Sequence, residues 1–171
     1  ALLCVAGGGR PARGARLERL LGRLVGPTPF AATLAGARVE ADGAWIGIAR
    51  EAADRRRAGG GPTPLPEGAP IVWDGRFEIE ASVGGLTVTP LRGLVKRLAP
   101  AARAALKSVP AAARPGLPAV RDAAGAVSCP ALVPDPRLAA RPLAFSRLAS
   151  ALGAVDGEVA IARVAETLRT P

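Results

Sequence analysis

The six residues from Val72 to Phe77 (Val-Trp-Asp-Gly-Arg-Phe) constrain the fold of this chain more than any other stretch. They hold one of only two tryptophans and one of only three phenylalanines among 171 residues. A chain this poor in aromatic side chains places them where packing or recognition is decided. The Asp-Gly pair inside the segment predicts a strand interrupted by a turn or a bulge.

The first third of the chain predicts a helix followed by a hairpin. Apolar residues recur at three- and four-residue steps from Pro11 to a stop at Gly26-Pro27, which is typical of an amphipathic helix. Its arginines fall mostly between the leucines and are interpreted as a solvated basic stripe. Residues 30–41 and 44–51 flank an Asp42-Gly43 pair and predict the two strands of a hairpin.

The remainder predicts short strands mixed with helical segments. The Gly- and Pro-rich stretch 59–70 indicates a linker or a long surface loop. Strands are expected at 71–82 and 86–89, a basic helical stretch at 90–107 that allows a break at Pro100, a short hairpin within 119–131, and helices near 142–152 and 157–169.

These elements lack the regular strand-helix rhythm of a doubly wound sheet and therefore predict an α+β fold. In this fold, β-hairpins form a small antiparallel sheet between the N-terminal amphipathic helix and the C-terminal helices. The predicted division is a helix plus hairpin over 1–58, the linker, an α+β domain over 71–135 and a helical tail over 136–171.

The charge of +9 is concentrated in one region of the sequence. Seven basic residues and no acidic residue occur between positions 81 and 121. A GC-rich genome explains an excess of Arg, but it does not by itself exclude Asp and Glu from this stretch. A polyanionic partner such as a nucleic acid explains both features, while an ordinary solvated basic face stays open as the alternative.

Several classes of chemistry lack their residues in this sequence. There is no His, which removes the commonest general base and transition-metal ligand. Cys4 and Cys129 stand at no motif spacing and predict two buried reduced thiols rather than a disulfide. Neither Gly-rich stretch, 6–10 or 59–61, has the pattern of a phosphate-binding loop. The Glu78–Glu80 pair is interpreted as an exposed strand face. No catalytic residue is predicted.

Several short motifs follow one another along the chain. They are Arg-Pro-Ala-Arg at 10–13, the Arg- and Leu-rich helix, Ala-Thr-Leu-Ala-Gly-Ala-Arg at 32–38, Arg-Glu-Ala at 50–52, the segment 72–77, and Leu-Pro-Ala-Val at 117–120 with a Gly-containing turn before Pro130. In this order the motifs resemble the C-terminal part of bacterial tRNA(Ile)-lysidine synthetases, particularly the alphaproteobacterial type, and the resemblance covers roughly residues 1–135.

The resemblance implies a role in tRNA modification. Such enzymes use ATP and Mg²⁺ to adenylate the wobble cytidine of isoleucine tRNA, and the amine of free lysine then displaces AMP. The resemblance places that chemistry in an N-terminal domain with a Ser-Gly-Gly-x-Asp-Ser loop, which this sequence lacks. No cofactor is therefore expected in this chain, and its implied role is to hold the tRNA without catalysing the reaction alone.

The candidate RNA contacts are the basic residues of three stretches: Arg55, Arg56, Arg57, Arg76, Arg92, Lys96, Arg97, Arg103 and Lys107. For Arg55 to Arg57, a solvated hairpin exit is an equal alternative. Trp73 and Phe77 favour core packing over base stacking. Two other functions stay open: a structural or protein-docking domain whose Arg content reflects genome composition, and an RNA-binding module of unrelated ancestry.

The absence of Met predicts a fragment or a processed product, and no apolar run approaches the roughly 20 residues of a membrane span. We therefore expect a cytoplasmic protein that does not bind membranes.

Overall fold

The structure is a computed structural model that describes residues 1–51 and 61–153, in which four α-helices and ten short β-strands occur. The helices are α1 (Leu2–Ala6), α2 (Ala15–Val25), α3 (Pro100–Ala105) and α4 (Ala144–Ala151). The strands are β1 (Phe30–Leu34), β2 (Ala37–Ala41), β3 (Ile46–Arg50), β4 (Thr63–Leu65), β5 (Ile71–Trp73), β6 (Phe77–Ala81), β7 (Leu86–Pro90), β8 (Pro118–Arg121), β9 (Val127–Ser128) and β10 (Leu138–Pro142). The predicted α+β class is confirmed.

Helix α2 forms where the leucine pattern predicts it, and it ends at Val25, before Gly26-Pro27. It begins at Ala15 rather than near Pro11, because Gly14 adopts a positive φ of 66° that interrupts the helical backbone. Helix α1 has no counterpart among the sequence-based predictions. None of the helices in the described residues has the length and apolar content needed to span a membrane.

The first sheet contains three antiparallel strands in the order β1-β2-β3. The prediction of one strand over 30–41 is wrong, because the chain turns at Ala35 and Gly36, which adopt φ values of 52° and 80°. Two positive φ values fit the right-handed twist of a tight hairpin. The predicted turn at Asp42 is present, and its Oδ1 accepts hydrogen bonds from the backbone N–H groups of Ala44 and Trp45.

Two further antiparallel sheets share a core. Their strand orders are β10-β6-β5 and β4-β7-β8-β9. The β10-β6-β5 sheet contributes Trp73, Phe77 and Ile79 to this core, and the β4-β7-β8-β9 sheet contributes Leu86 and Val88. Consecutive strands β6 and β7 therefore belong to different sheets, and the Gly84-Gly85 connection joins two sheets rather than closing a hairpin.

Two strands lie where the sequence predicts other structure. Strand β4 lies within the expected linker 59–70 and pairs with β7, which buries Leu65. Strand β10 lies within the expected helical tail 136–171 and pairs with β6. The C-terminal helix near 142–152 is confirmed as α4, whereas the second expected helix, 157–169, lies outside the described residues. The domain boundaries stay a prediction.

The basic stretch 90–107 is divided into short pieces over a second core. A 3₁₀ turn at Val95–Arg97 precedes α3, and another at Leu106–Ser108 follows it. Ala99 is extended, with ψ of 152°, and Pro100 opens α3 at its first turn, so the break allowed at Pro100 is present. The second core contains Leu91, Leu98, Ala102, Leu106, Ala119, Val127 and Cys129.

Candidate nucleic-acid interface

The turn at Asp74-Gly75 holds a buried ion cluster. Asp74 adopts φ of 50° and Gly75 of 64°, which closes the hairpin between β5 and β6. Asp74 Oδ1 accepts a hydrogen bond from Arg50 Nε at 3.2 Å, and Asp74 Oδ2 accepts one from Arg76 Nη2 at 2.7 Å. We refer to Arg50, Asp74 and Arg76 as the Asp74 cluster.

The Asp74 cluster joins four separate parts of the chain. Arg50 Nη1 donates to the carbonyl oxygens of Gly7, at 2.7 Å, and Gly36, at 2.9 Å. Arg76 Nη2 donates to the Gly116 carbonyl at 2.6 Å. Arg50 is 7% exposed, so these contacts are largely shielded from water. The cluster therefore links α1, the β1–β2 turn, the β5–β6 turn and the connection before β8.

The geometry of the Asp74 cluster bears on two expectations for the segment 72–77. Trp73 is 2% exposed and Phe77 is 8% exposed, and their ring centroids lie 6.3 Å apart, so both aromatic rings pack in the core as favoured. Arg76, a predicted RNA contact, has a side chain that is 13% exposed. Its guanidinium is occupied by the Asp74 carboxylate and the Gly116 carbonyl, which is a structural use of this residue.

Five of the predicted RNA contacts lie on the segment 92–107, which covers the second core. Leu98, Ala102 and Leu106 of this segment are buried, whereas its charged residues are exposed. Arg103 and Lys107 stand four positions apart, which places them on one side of α3 and the turn that follows it. We define the basic surface as the exposed side chains of Arg92, Lys96, Arg97, Arg103 and Lys107.

Within the described part of the chain, no acidic side chain forms an ion pair with any member of the basic surface. Arg97 Nη2 donates to the Gly125 carbonyl at 2.8 Å. Arg114 lies half-buried beside the surface, and its guanidinium caps the carbonyl oxygens of Lys107 and Val109. Arg121 is also half-buried. The segment thus presents positive charge that its own fold does not neutralise.

Several acidic residues pair with arginines outside the basic surface. Arg137 Nη2 lies 2.9 Å from Asp135 Oδ2, and Arg137 Nη1 lies 3.5 Å from Asp122 Oδ2. The hydrogen bond from Arg137 lowers the pKa of Asp135 to about 2. On the sheet surfaces, Arg38 pairs with Glu40 at 2.7 Å and Arg141 pairs with Glu78 at 3.0 Å. Glu78 is thus a partner of Arg141.

Sequence reasoning treated the arginines of α2 as a solvated face, but the structure places three of them along a groove. Arg16, Arg19 and Arg23 line a cavity of about 380 Å³ together with Ala32, Thr33 and Leu34 of β1. The signal was present as the three- and four-residue spacing of these arginines. The other predicted contacts, Arg55, Arg56 and Arg57, lie outside the described residues.

Both cysteines are free thiols, as predicted, although Cys4 is half-buried rather than buried. Burial raises the pKa of the Cys129 thiol to about 11, so this thiol is protonated at neutral pH. In residues 1–51 and 61–153, no three His, Cys, Asp or Glu side chains are grouped so as to hold a metal ion.

Comparison with known proteins identifies one curated relative. The chain is 41% identical over 164 residues to a protein named tRNA(Ile)-lysidine synthase from Caulobacter vibrioides. The match covers 92% of this chain and 40% of that protein, so the chain spans about two fifths of the relative's length. No family model matches the chain. No solved structure matches it either.

Proposed function

The chain belongs to the tRNA(Ile)-lysidine synthase family, as the resemblance predicted, and we propose that it forms the C-terminal part that holds the tRNA. The observation that carries this proposal is the basic surface, whose five cations are exposed and have no acidic partner in the described residues. Contacts from Arg and Lys to phosphate position an RNA without reading its sequence. A surface of this kind therefore suits the body of a folded RNA.

The chemistry of the modification is assigned in this proposal to the remainder of the longer family protein. There, ATP and Mg²⁺ would support transfer of lysine to the wobble cytidine of isoleucine tRNA, and the present chain would supply binding free energy and orientation. A cytoplasmic location belongs to the same proposal, because this is where the tRNA substrate is found. Arg76 contributes indirectly in this role, since it holds the connection at Gly116 in place.

Removing two charges from the basic surface tests the proposal. In the 171-residue chain, we expect Arg103→Gln with Lys107→Gln to weaken binding of isoleucine tRNA by more than about tenfold at 0.1 M salt. The slope of log K against log salt concentration should become less steep by about 2, because two phosphate contacts no longer release counterions. Filter binding over a salt series measures both quantities.

A matched control removes two charges that already have acidic partners. Arg38→Gln with Arg141→Gln changes the net charge equally, but each of these arginines is paired with a glutamate. We expect this control to retain most of the affinity. Equal losses in both variants, or no tRNA binding by the unmodified chain at low salt, would favour the docking alternative and contradict the proposal. Equal affinity for an unrelated duplex RNA would instead favour the general RNA-binding module.

A further inference from the structure

The arginines and leucines of α2 lie on different sides of the helix. At 100° per residue, Arg16, Arg19 and Arg23 fall within one third of the circumference, while Leu17, Leu21 and Leu24 follow the adjacent third. Leu20 lies at the border and is 5% exposed, so it anchors the helix. The arginine side is exposed and faces the groove beside β1.

The groove is bordered by an edge strand. Strand β1 pairs with β2 and is at the outer position of its sheet, so its other edge has no ladder partner among the described strands. Ala32, Thr33 and Leu34 of β1 line one side of the groove, and Arg16, Arg19 and Arg23 of α2 line the other. Arg16 and Arg23 are separated by seven residues, about 10 Å along the helix axis. The arginines thus follow the strand edge over about this length.

The groove carries positive charge with no carboxylate in its lining. Glu18 is the one acidic residue of α2, and it lies on the side of the helix away from Arg16 and Arg23. Glu40, two strand positions from the cross-strand partner of Thr33, is paired with Arg38 at 2.7 Å. The guanidinium of Arg23 stacks on the Phe30 ring at 4.1 Å from its centroid, which fixes one of the donors.

We propose that this groove binds the sugar-phosphate backbone of a single-stranded stretch of RNA. The inference rests on the proposed function, because it takes RNA as the partner, and it adds a second site distinct from the basic surface. A groove of about 380 Å³ between a helix and a strand edge suits one phosphate chain, whereas the exposed cations of the basic surface suit a helical region. Arg side chains and backbone N–H groups donate hydrogen bonds to phosphate oxygens.

Two variants and two RNA probes test the assignment. In the 171-residue chain, Arg16→Gln with Arg19→Gln should reduce binding of a 12-nucleotide oligouridylate, and its salt slope should become less steep by about 1.4. The Arg103→Gln and Lys107→Gln variant should retain more of this binding. For a short duplex RNA we expect the opposite order of the two variants. Arg23 is left in place because it packs on Phe30.

The outcomes separate this inference from the proposed function. If the oligouridylate affinity of the Arg16 and Arg19 variant equals that of the unmodified chain, or of the Arg38 and Arg141 control, the groove assignment is overturned. Displacement of the oligouridylate by polyglutamate at equal charge concentration would overturn the choice of RNA as its occupant. Loss of tRNA binding in the Arg103 and Lys107 variant tests the basic surface independently of either result. Circular dichroism establishes that each variant is folded.

Discussion

Asp74 is the residue on which the arrangement of the N-terminal half depends. Its carboxylate is 5% exposed and contacts two arginines that in turn bind backbone carbonyls of distant segments. A buried ion pair stabilises a fold mainly in the sense that removing one partner leaves the other charge desolvated and uncompensated. The segment 72–77 is therefore important for the tertiary structure.

Neutralising this carboxylate tests that view. We expect Asp74→Asn to lower the free energy of unfolding by about 3 kcal/mol, since Arg50 and Arg76 then lose their buried counter-charge. Asparagine tolerates the positive φ of this position, so the change isolates the charge. Asp42→Asn provides the control at an exposed turn carboxylate and should cost less than about 1 kcal/mol. Similar losses in the two variants, measured by urea unfolding, would show that the Asp74 cluster contributes little.

Asp135 gives a pH-dependent prediction. Because Arg137 lowers the pKa of Asp135 from 3.8 to about 2, the folded state favours the ionised carboxylate. The resulting stabilisation is complete above the unfolded pKa, near 4, and is lost as the pH falls towards 2. We expect Arg137→Gln to return the pKa of Asp135 towards 3.8, as followed by NMR titration of the carboxyl carbon. An unchanged pKa would assign the shift to the backbone and Ser128 instead.

Among the secondary-structure elements, α1 packs against the first sheet at a point where no side chain fits. A Cβ atom at Gly7 would overlap the Ala35 carbonyl oxygen of the β1–β2 turn and lie 2.8 Å from the Leu3 carbonyl. Both neighbours are backbone atoms, so neither can move aside without disturbing the helix or the turn. Gly7 is thus required for the contact between these elements.

The corresponding substitution separates close packing from helix propensity. We expect Gly7→Ala to destabilise the chain by about 2 kcal/mol, which is typical of overpacking against rigid atoms. Gly22→Ala in α2 is the matched control, because nothing lies within 4 Å of the added methyl group. That variant should be stabilised by about 0.5 to 1 kcal/mol through helix propensity. Thermal unfolding of the two variants would contradict the packing argument if both shifts had the same sign.

Sequence patterns predicted the helix and the turns, which depend on interactions between residues close together in the chain. The leucine period and Gly26-Pro27 predicted where α2 ends, and Asp42-Gly43 predicted a turn. Asp74-Gly75 predicted a turn or a bulge, of which the turn is present. Strands β4 and β10 were missed because they gain their hydrogen bonds from β7 and β6, which are distant in sequence. The turn at Ala35 was missed because Ala does not signal a positive φ.

The candidate site was predictable only in part. Of the seven basic residues in the acid-free stretch 81–121, five are exposed, whereas Arg114 and Arg121 are half-buried, and the contact of these residues with RNA stays a prediction. The sequence did not indicate that Arg76 would pair with Asp74 or that Arg50 would join them from a different sheet, since such contacts depend on tertiary structure. The spacing of the α2 arginines was visible in the sequence, but the groove that they line was not, because its second wall is a strand edge.

At the scale of the whole molecule, the described ion pairs and the cations of the basic surface and the α2 groove lie in different places. Each described ion pair uses an arginine outside the basic surface and outside the α2 groove. Five cations without an acidic partner among the described residues lie on the basic surface, and three more line the α2 groove. In the function proposed above, two such regions on one chain would hold the RNA at two points and fix its orientation.

The pairing of β10 with β6 has a consequence for synthesis of the chain. Leu138 pairs with Ala81, and at 5–20 residues per second about 60 residues take roughly 3 to 12 s to translate. During that interval one edge of β6 has no neighbour, although the strand carries the apolar residues Phe77 and Ile79. A nascent chain stalled before residue 138 would expose the unpaired edge of β6. Slow translation of this region therefore favours aggregation and chaperone binding.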